Sequence, residues 1–126
     1  MNNFKFSTRS KNNLVGVHPD LVKVAHKALE ISKSDFVITE GVRTVERQKQ
    51  MLREGKSTIM NSAHLTGRAI DIVPYPVSWV RKDFEPVVAA FKEAAGLLDV
   101  RIECGHEWTR FPDSPHIELD RKAYKY

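Results

Sequence analysis

Ala69-Ile70-Asp71-Ile72-Val73, followed by Pro74 and Pro76, decides how this chain is read. It is a short β-rich run stopped by prolines, hence a strand. At its centre stands a carboxylate between two isoleucines. A carboxylate in an apolar strand costs several kcal/mol unless it is paired or bound to a metal. Asp71 is therefore either a buried Asp paired with an Arg or capping a loop, or one arm of a metal site.

The flanking sequence weighs on that choice. Just upstream runs Ser62-Ala63-His64-Leu65-Thr66-Gly67-Arg68. A short glycine-containing loop can fold back, so that His64 meets Asp71 and both share one ion. Downstream runs Phe111-Pro112-Asp113-Ser114-Pro115-His116-Ile117-Glu118. By period-two alternation His116 and Glu118 share one face of a strand, and Ile117 and Leu119 the other. Alone, His116 reads as a hydrogen-bonded structural histidine. Together, His64, Asp71 and His116 make a catalytic zinc shell with a fourth position open to water.

Hydrolysis at such a centre needs a group that takes a proton from water and returns it to the leaving amine. Asp113 fits if the segment between Pro112 and Pro115 turns, since a separation of three puts it on the opposite face of a regular strand from His116. Otherwise Asp113 is a turn-forming residue. Glu118 competes for the role of base, but suits better the task of orienting a ligand. Arg43, after Gly41, suits a substrate carboxylate or a developing oxyanion; a lone Arg is otherwise a surface ion pair. Cys104 reads as a small buried hydrophobe.

Around these motifs the pattern predicts a helix over residues 19–31, opened by Pro19. A strand follows at Phe36 to Thr39. Thr44 caps a helix through about Arg53, with Val45, Gln48, Met51 and Leu52 along one side. Residues 55–68 read as a loop. Asp83 caps a helix to about Leu98, and Val100 to Cys104 and Pro115 to Leu119 are strands. The expected fold is one α+β domain over residues 1–126, with a small, mainly antiparallel sheet flanked by helices.

The chain has 126 residues and a net charge of +4, with 41% hydrophobic and 29% charged residues. One core suffices at this size. A single cysteine makes an internal disulfide impossible and excludes zinc ribbons built on paired cysteines. The basic residues are scattered without interleaved aromatics, which argues against nucleic-acid binding. No run is long enough to span a bilayer, and no signal peptide is visible at the N-terminus, so a cytoplasmic product without stable membrane association is expected.

The motifs S-x-H-x-x-G-x-A-x-D (Ser62 to Asp71) and D-x-P-H-x-E (Asp113 to Glu118) resemble the D-Ala-D-Ala-type zinc metallopeptidases of bacterial cell-wall metabolism. The opening F-K-F-S-T-R-S, the early helix and the segment G-V-R-T look like the phage endolysins that are L-alanyl-D-glutamate peptidases. The resemblance implies zinc on His64, Asp71 and His116, catalysis by Asp113, and a transition-state arginine at Arg43. It implies shaping roles for Ser62 and Gly67, and a cleft-lining role for Trp108. The family's Gly-Gly-Asp-Trp-like stretch reads Gly105-His106-Glu107-Trp108 here, which makes His106 a candidate for supporting or substrate contacts but not for ligation.

The implied function is cleavage of the L-alanyl-D-glutamate bond in peptidoglycan stem peptides during host lysis. The implied protein is a monomer that waits in the host cytoplasm until a separate pore-forming protein gives it access to the wall. Alternatives are a D,D-carboxypeptidase or D-Ala-D-Ala dipeptidase of the same family, or a non-catalytic basic wall-binding module.

Overall fold

The structure, a computed structural model, describes residues 2–56 and 62–125. In chain order they form α1 (Thr8–Asn13), α2 (Pro19–Ile31), β1 (Phe36–Glu40), α3 (Val45–Arg53), a 3-10 turn at Ala63–Thr66, β2 (Ala69–Pro74), α4 (Arg81–Leu98), β3 (Ile102–Cys104), a second 3-10 turn at Gly105–Glu107, β4 (His116–Leu119) and α5 (Arg121–Tyr124). The strands form one sheet in the order β1-β2-β4-β3, and every neighbouring pair is antiparallel. The expected α+β architecture is found.

The sheet has two unlike faces because its strands alternate. Ile70 and Ile72 of β2 and Ile117 and Leu119 of β4 join one core with Leu21, Val24 and Ala28 of α2 and Phe84, Val87 and Phe91 of α4. Burying each large side chain stabilises the fold by ~1.5–3 kcal/mol. Phe36 of β1 packs against Phe91 with ring centroids 5.2 Å apart. Asp71 and His116 have the opposite parity, and they sit directly opposite each other across the β2–β4 pair. The core thus leaves the middle of the second face to Asp71, His116 and Glu118, flanked by the buried Ala69 and Val73.

Several expected boundaries shift. The helix predicted from an Asp83 cap begins at Arg81, with Val80 as the residue before it. Asp83 lies instead in the first turn, where a carboxylate is favoured by the helix dipole, and it accepts a hydrogen bond from Ser78 Oγ at 2.6 Å. The strand predicted from Val100 starts at Ile102, and the one predicted from Pro115 starts at His116. In α3 Gln48 is buried and Met51 and Leu52 are half-buried, while Val45, expected on the same side, is exposed. The loop expected over residues 55–68 contains the 3-10 turn at Ala63–Thr66, and its residues 57–61 lie outside the described residues.

Candidate metal centre

His64 comes from the 3-10 turn before β2. Ser62 opens that turn, its Oγ accepting from the His64 amide at 3.2 Å. Gly67 closes it in the left-handed region, with φ of 72°. Its carbonyl accepts from the His18 amide at 2.8 Å, tying the turn to the start of α2. A Cβ on Gly67 would lie 2.5 Å from the Gly16 carbonyl oxygen, so only glycine fits. The chain therefore folds back on itself, and His64 Nε2 arrives 3.3 Å from Asp71 Oδ1.

His116, opposite Asp71 in the next strand, brings its Nδ1 to 3.5 Å from the same oxygen. The two imidazole centroids are 5.2 Å apart and their planes are inclined by 70°. One ligand atom from each of His64, Asp71 and His116 lies within 4.8 Å of the others. Two ligands at ~2.1 Å from a tetrahedral ion stand ~3.4 Å apart. The spacings of both histidines from Asp71 match that value.

Outer hydrogen bonds set both tautomers. His64 Nδ1 lies 2.8 Å from the Gly41 carbonyl oxygen, which can only accept, so the proton is on Nδ1 and the lone pair is on Nε2. His116 Nε2 lies 2.7 Å from Glu118 Oε1, which leaves the Nδ1 lone pair facing Asp71. With both rings neutral, two lone pairs and a carboxylate oxygen thus converge on one point. His64 Nε2 and Asp71 Oδ1 are buried and neither makes a hydrogen bond. Buried polar atoms without partners are rare and costly, and a cation between them satisfies both. The donor set fits a divalent ion that accepts nitrogen and oxygen.

Electrostatics agree. Burial disfavours the charged form of Asp71, but the adjacent imidazoles of His116 and His64 outweigh it and hold the carboxyl well below the usual range. Burial likewise opposes protonation of His116. The facing carboxylate of Asp71 and the hydrogen-bonded carboxylate of Glu118 prevail, pushing its pKa up to about 9 when no cation is bound.

Asp113 stands on the exposed rim of this cluster. The segment does turn: the Asp113 carbonyl accepts from the His116 amide at 3.1 Å, and the Asp113 amide donates to Gly105 at 2.9 Å. Desolvation of its carboxyl, and then the charge of Asp71, raise its pKa. Trp108 lies against His116 with ring centroids 5.3 Å apart. Its Nε1 donates to Glu103 at 3.3 Å.

Arg43 is buried rather than at the surface. Its amide donates to the His64 carbonyl at 2.9 Å. Its guanidinium donates to Glu40 from both Nε and Nη2, and to Gln48 Oε1 at 2.8 Å and Ser62 Oγ at 3.5 Å from Nη1. His106 is not brought to the cluster. It is buried, stacked near Phe84 with centroids 6.4 Å apart, and its Nδ1 meets Ser114 Oγ at 2.9 Å.

Glu40, Gly41 and Gln48 escape the sequence reading. Nothing local marks a backbone carbonyl as an imidazole partner. Gln48 reads as part of a helix side, and Glu40 as the end of a strand.

The model of the family described as phage L-alanyl-D-glutamate peptidase matches residues 2–125. The L-alanyl-D-glutamate peptidase of Escherichia phage T5 is 38% identical over 128 residues, which cover 96% of this chain and 93% of that protein. The enzyme of the same name from Listeria phage A118 is 31% identical over 127 residues, covering 94% of this chain but 43% of its own length. The crystal structure of the Serratia marcescens L-Ala D-Glu endopeptidase ChiX matches with a TM-score of 0.92 and 38% identity, over 98% of this chain and 96% of the other. The fold, the polar face of its sheet and these relatives agree: the chain is a peptidase and belongs to the phage L-alanyl-D-glutamate peptidase family.

Proposed function

We propose that this chain is a zinc-dependent endopeptidase that cuts peptidoglycan stem peptides between L-alanine and D-glutamate, as an endolysin in host lysis. The observation that carries the reading is the convergence of His64 Nε2, Asp71 Oδ1 and His116 Nδ1, two of them buried without hydrogen bonds. Two imidazoles and one carboxylate are the donor set that zinc favours in hydrolytic sites. Zinc held by His64, Asp71 and His116 would supply Lewis-acid polarisation of the scissile carbonyl and a lowered pKa for the attacking water.

The chain's own side chains supply the rest. Asp113, on the rim beside His116, takes the proton from water and delivers it to the leaving amine. Its raised pKa suits both halves of that task. Arg43 offers a fixed guanidinium for the developing negative charge or a substrate carboxylate. Glu118 holds His116 in its ligating tautomer, Ser62 shapes the turn that carries His64, and Trp108 walls the cleft. His106, away from the cluster, steadies Ser114 and so the loop that carries Asp113.

Peptidoglycan is the substrate and main partner, and the protein works as a monomer. No helix among the described residues is long and apolar enough to cross a membrane. In this reading the protein waits in the host cytoplasm, and a separate pore-forming protein opens its way to the wall.

Chelator treatment of the purified protein, followed by digestion of peptidoglycan and mass analysis, tests the reading. Expected are loss of activity on chelation, recovery with zinc, and new L-alanine C-termini and D-glutamate N-termini. Full activity without metal overturns the mechanism. Release of terminal D-alanine or D-Ala-D-Ala assigns a different bond.

A further inference from the structure

Strand β1 departs from regular pairing next to the cluster. Ile38 stands opposite Ile72, but the next pair is Glu40 with Asp71, with a bulge between them. Continued regularly, the ladder would set Thr39 against Asp71 and Glu40 against Ile70. Residues directly opposite each other share a face, and Ile70 is fully buried in the core. A regular strand would therefore aim the Glu40 carboxylate at the core. The extra residue, Thr39, turns Glu40 over to the polar face, as bulges beside functional sites commonly do. Thr39 Oγ1 itself reaches the Asp71 carbonyl at 3.4 Å. Asp71 in turn opposes His116. Glu40, Asp71 and His116 thus form one row across three strands.

At the end of that row Glu40 meets Arg43. One carboxylate oxygen, Oε1, accepts from both Nε and Nη2 of the guanidinium. The same oxygen is 3.9 Å from His64 Nδ1, too far for a hydrogen bond, and that nitrogen is already occupied by Gly41. Glu40 therefore acts on the arginine, not on the histidine. A two-point, charge-assisted contact fixes the rotation of the guanidinium plane as well as its position. Gln48, wholly buried, holds the other edge through Nη1.

We propose that Glu40 is a positioning residue for the hydrolytic reaction: delivered to the polar face by the β1 bulge, it sets the orientation in which Arg43 meets the charge that develops on the substrate. The inference rests on the role given to Arg43 above. Glu40 is not among the converging ligand atoms.

The test is a double-mutant cycle on the zinc-loaded full chain. It uses Glu40→Ala, Arg43→Ala and the double variant, with metal content, kcat and KM measured on a soluble stem peptide. Expected is a fall in kcat of roughly 10- to 100-fold for Glu40→Ala, the range for losing a charge-assisted contact in the transition state. Metal content stays at wild-type level and KM changes little. Added to Arg43→Ala, the second substitution costs little further, because residues that act as a unit are not additive. Glu40→Gln, which keeps an acceptor oxygen at the same reach, recovers part of the loss and carries the test if the alanine variant does not fold.

Wild-type kcat in both Glu40 variants overturns the proposal. So does loss of zinc, or full additivity with Arg43→Ala. If Arg43→Ala itself keeps wild-type turnover, the role given to Arg43 falls and this inference falls with it. If Arg43→Ala is impaired and the Glu40 variants are not, only the inference fails.

Discussion

Glu118 and Asp71 grip opposite nitrogens of the same ring: His116 Nε2 lies 2.7 Å from Glu118 Oε1, while Nδ1 faces Asp71 Oδ1 at 3.5 Å. The pairing follows from strand alternation, which puts residues 116 and 118 on one face. It also decides which nitrogen is available to a metal.

Glu118→Ala should therefore weaken metal binding rather than remove a proton carrier. Loss of such an outer partner costs ~10–100-fold in metal affinity. Competition with a chromogenic chelator measures it. At saturating zinc the variant should regain most turnover. A variant that stays fully loaded yet inactive would make Glu118 the base.

Asp113→Ala should do the reverse. Asp113 is outside the group of converging ligand atoms, so metal content should stay at wild-type level. Losing a general base lowers turnover by ~10²–10⁴-fold. Metal analysis beside single-turnover kinetics separates the two effects. Near-wild-type turnover would remove Asp113 from the mechanism.

The metal-free protein should carry a pH signature. His116 has its pKa raised from 6.5 to about 9, and so contributes stability that is complete below 6.5 and lost as pH rises through 9. Asp71 is depressed from its ordinary 3.8, so its contribution is present above that value and lost on strong acidification. Chelated protein should thus melt at progressively lower temperature from pH 6.5 to 9. His116→Ala should flatten that decline. In the same window zinc affinity should climb with pH, because binding must displace the His116 proton. A melting temperature that rises across this interval would contradict the assigned hydrogen bonds.

What could be read from the sequence was what short-range periodicity dictates. The alternation of β4 put His116 and Glu118 together, and the loop around Gly67 returned His64 to Asp71. The early helix falls on residues 19–31 as expected. What escaped depends on distant partners. Helix α1 has no apolar stripe; Ser7 caps it, and Ser10 Oγ accepts from the Ile38 amide at 3.0 Å, a contact from β1 that no local pattern announces. Helix α5 is held by a hydrogen bond from Tyr124 to Asp20 at 2.6 Å, across almost the whole chain. The Glu40–Arg43 contact depends on a bulge, and a one-residue slip in register leaves no trace in composition.

Gly105 gives a prediction in which activity and stability part company. A Cβ there would lie 2.4 Å from the Asp113 carbonyl oxygen and 3.1 Å from His116 Cβ. Gly105 also accepts the Asp113 amide at 2.9 Å, so the rim loop is built directly on this residue. Gly105→Ala must push the loop outward or shift β4, at a cost of ~1–3 kcal/mol. The larger effect should be on turnover, since an error of about 1 Å in a catalytic group can cost ~100-fold. Gly96→Ala is the control, because Gly96 lies in α4 with nothing near its Cβ position. That change should stabilise the protein by ~0.5–1 kcal/mol and leave turnover alone. Equal fractional losses of folded protein and of activity in Gly105→Ala would mean that the glycine serves folding only, and that the Asp113 loop tolerates displacement.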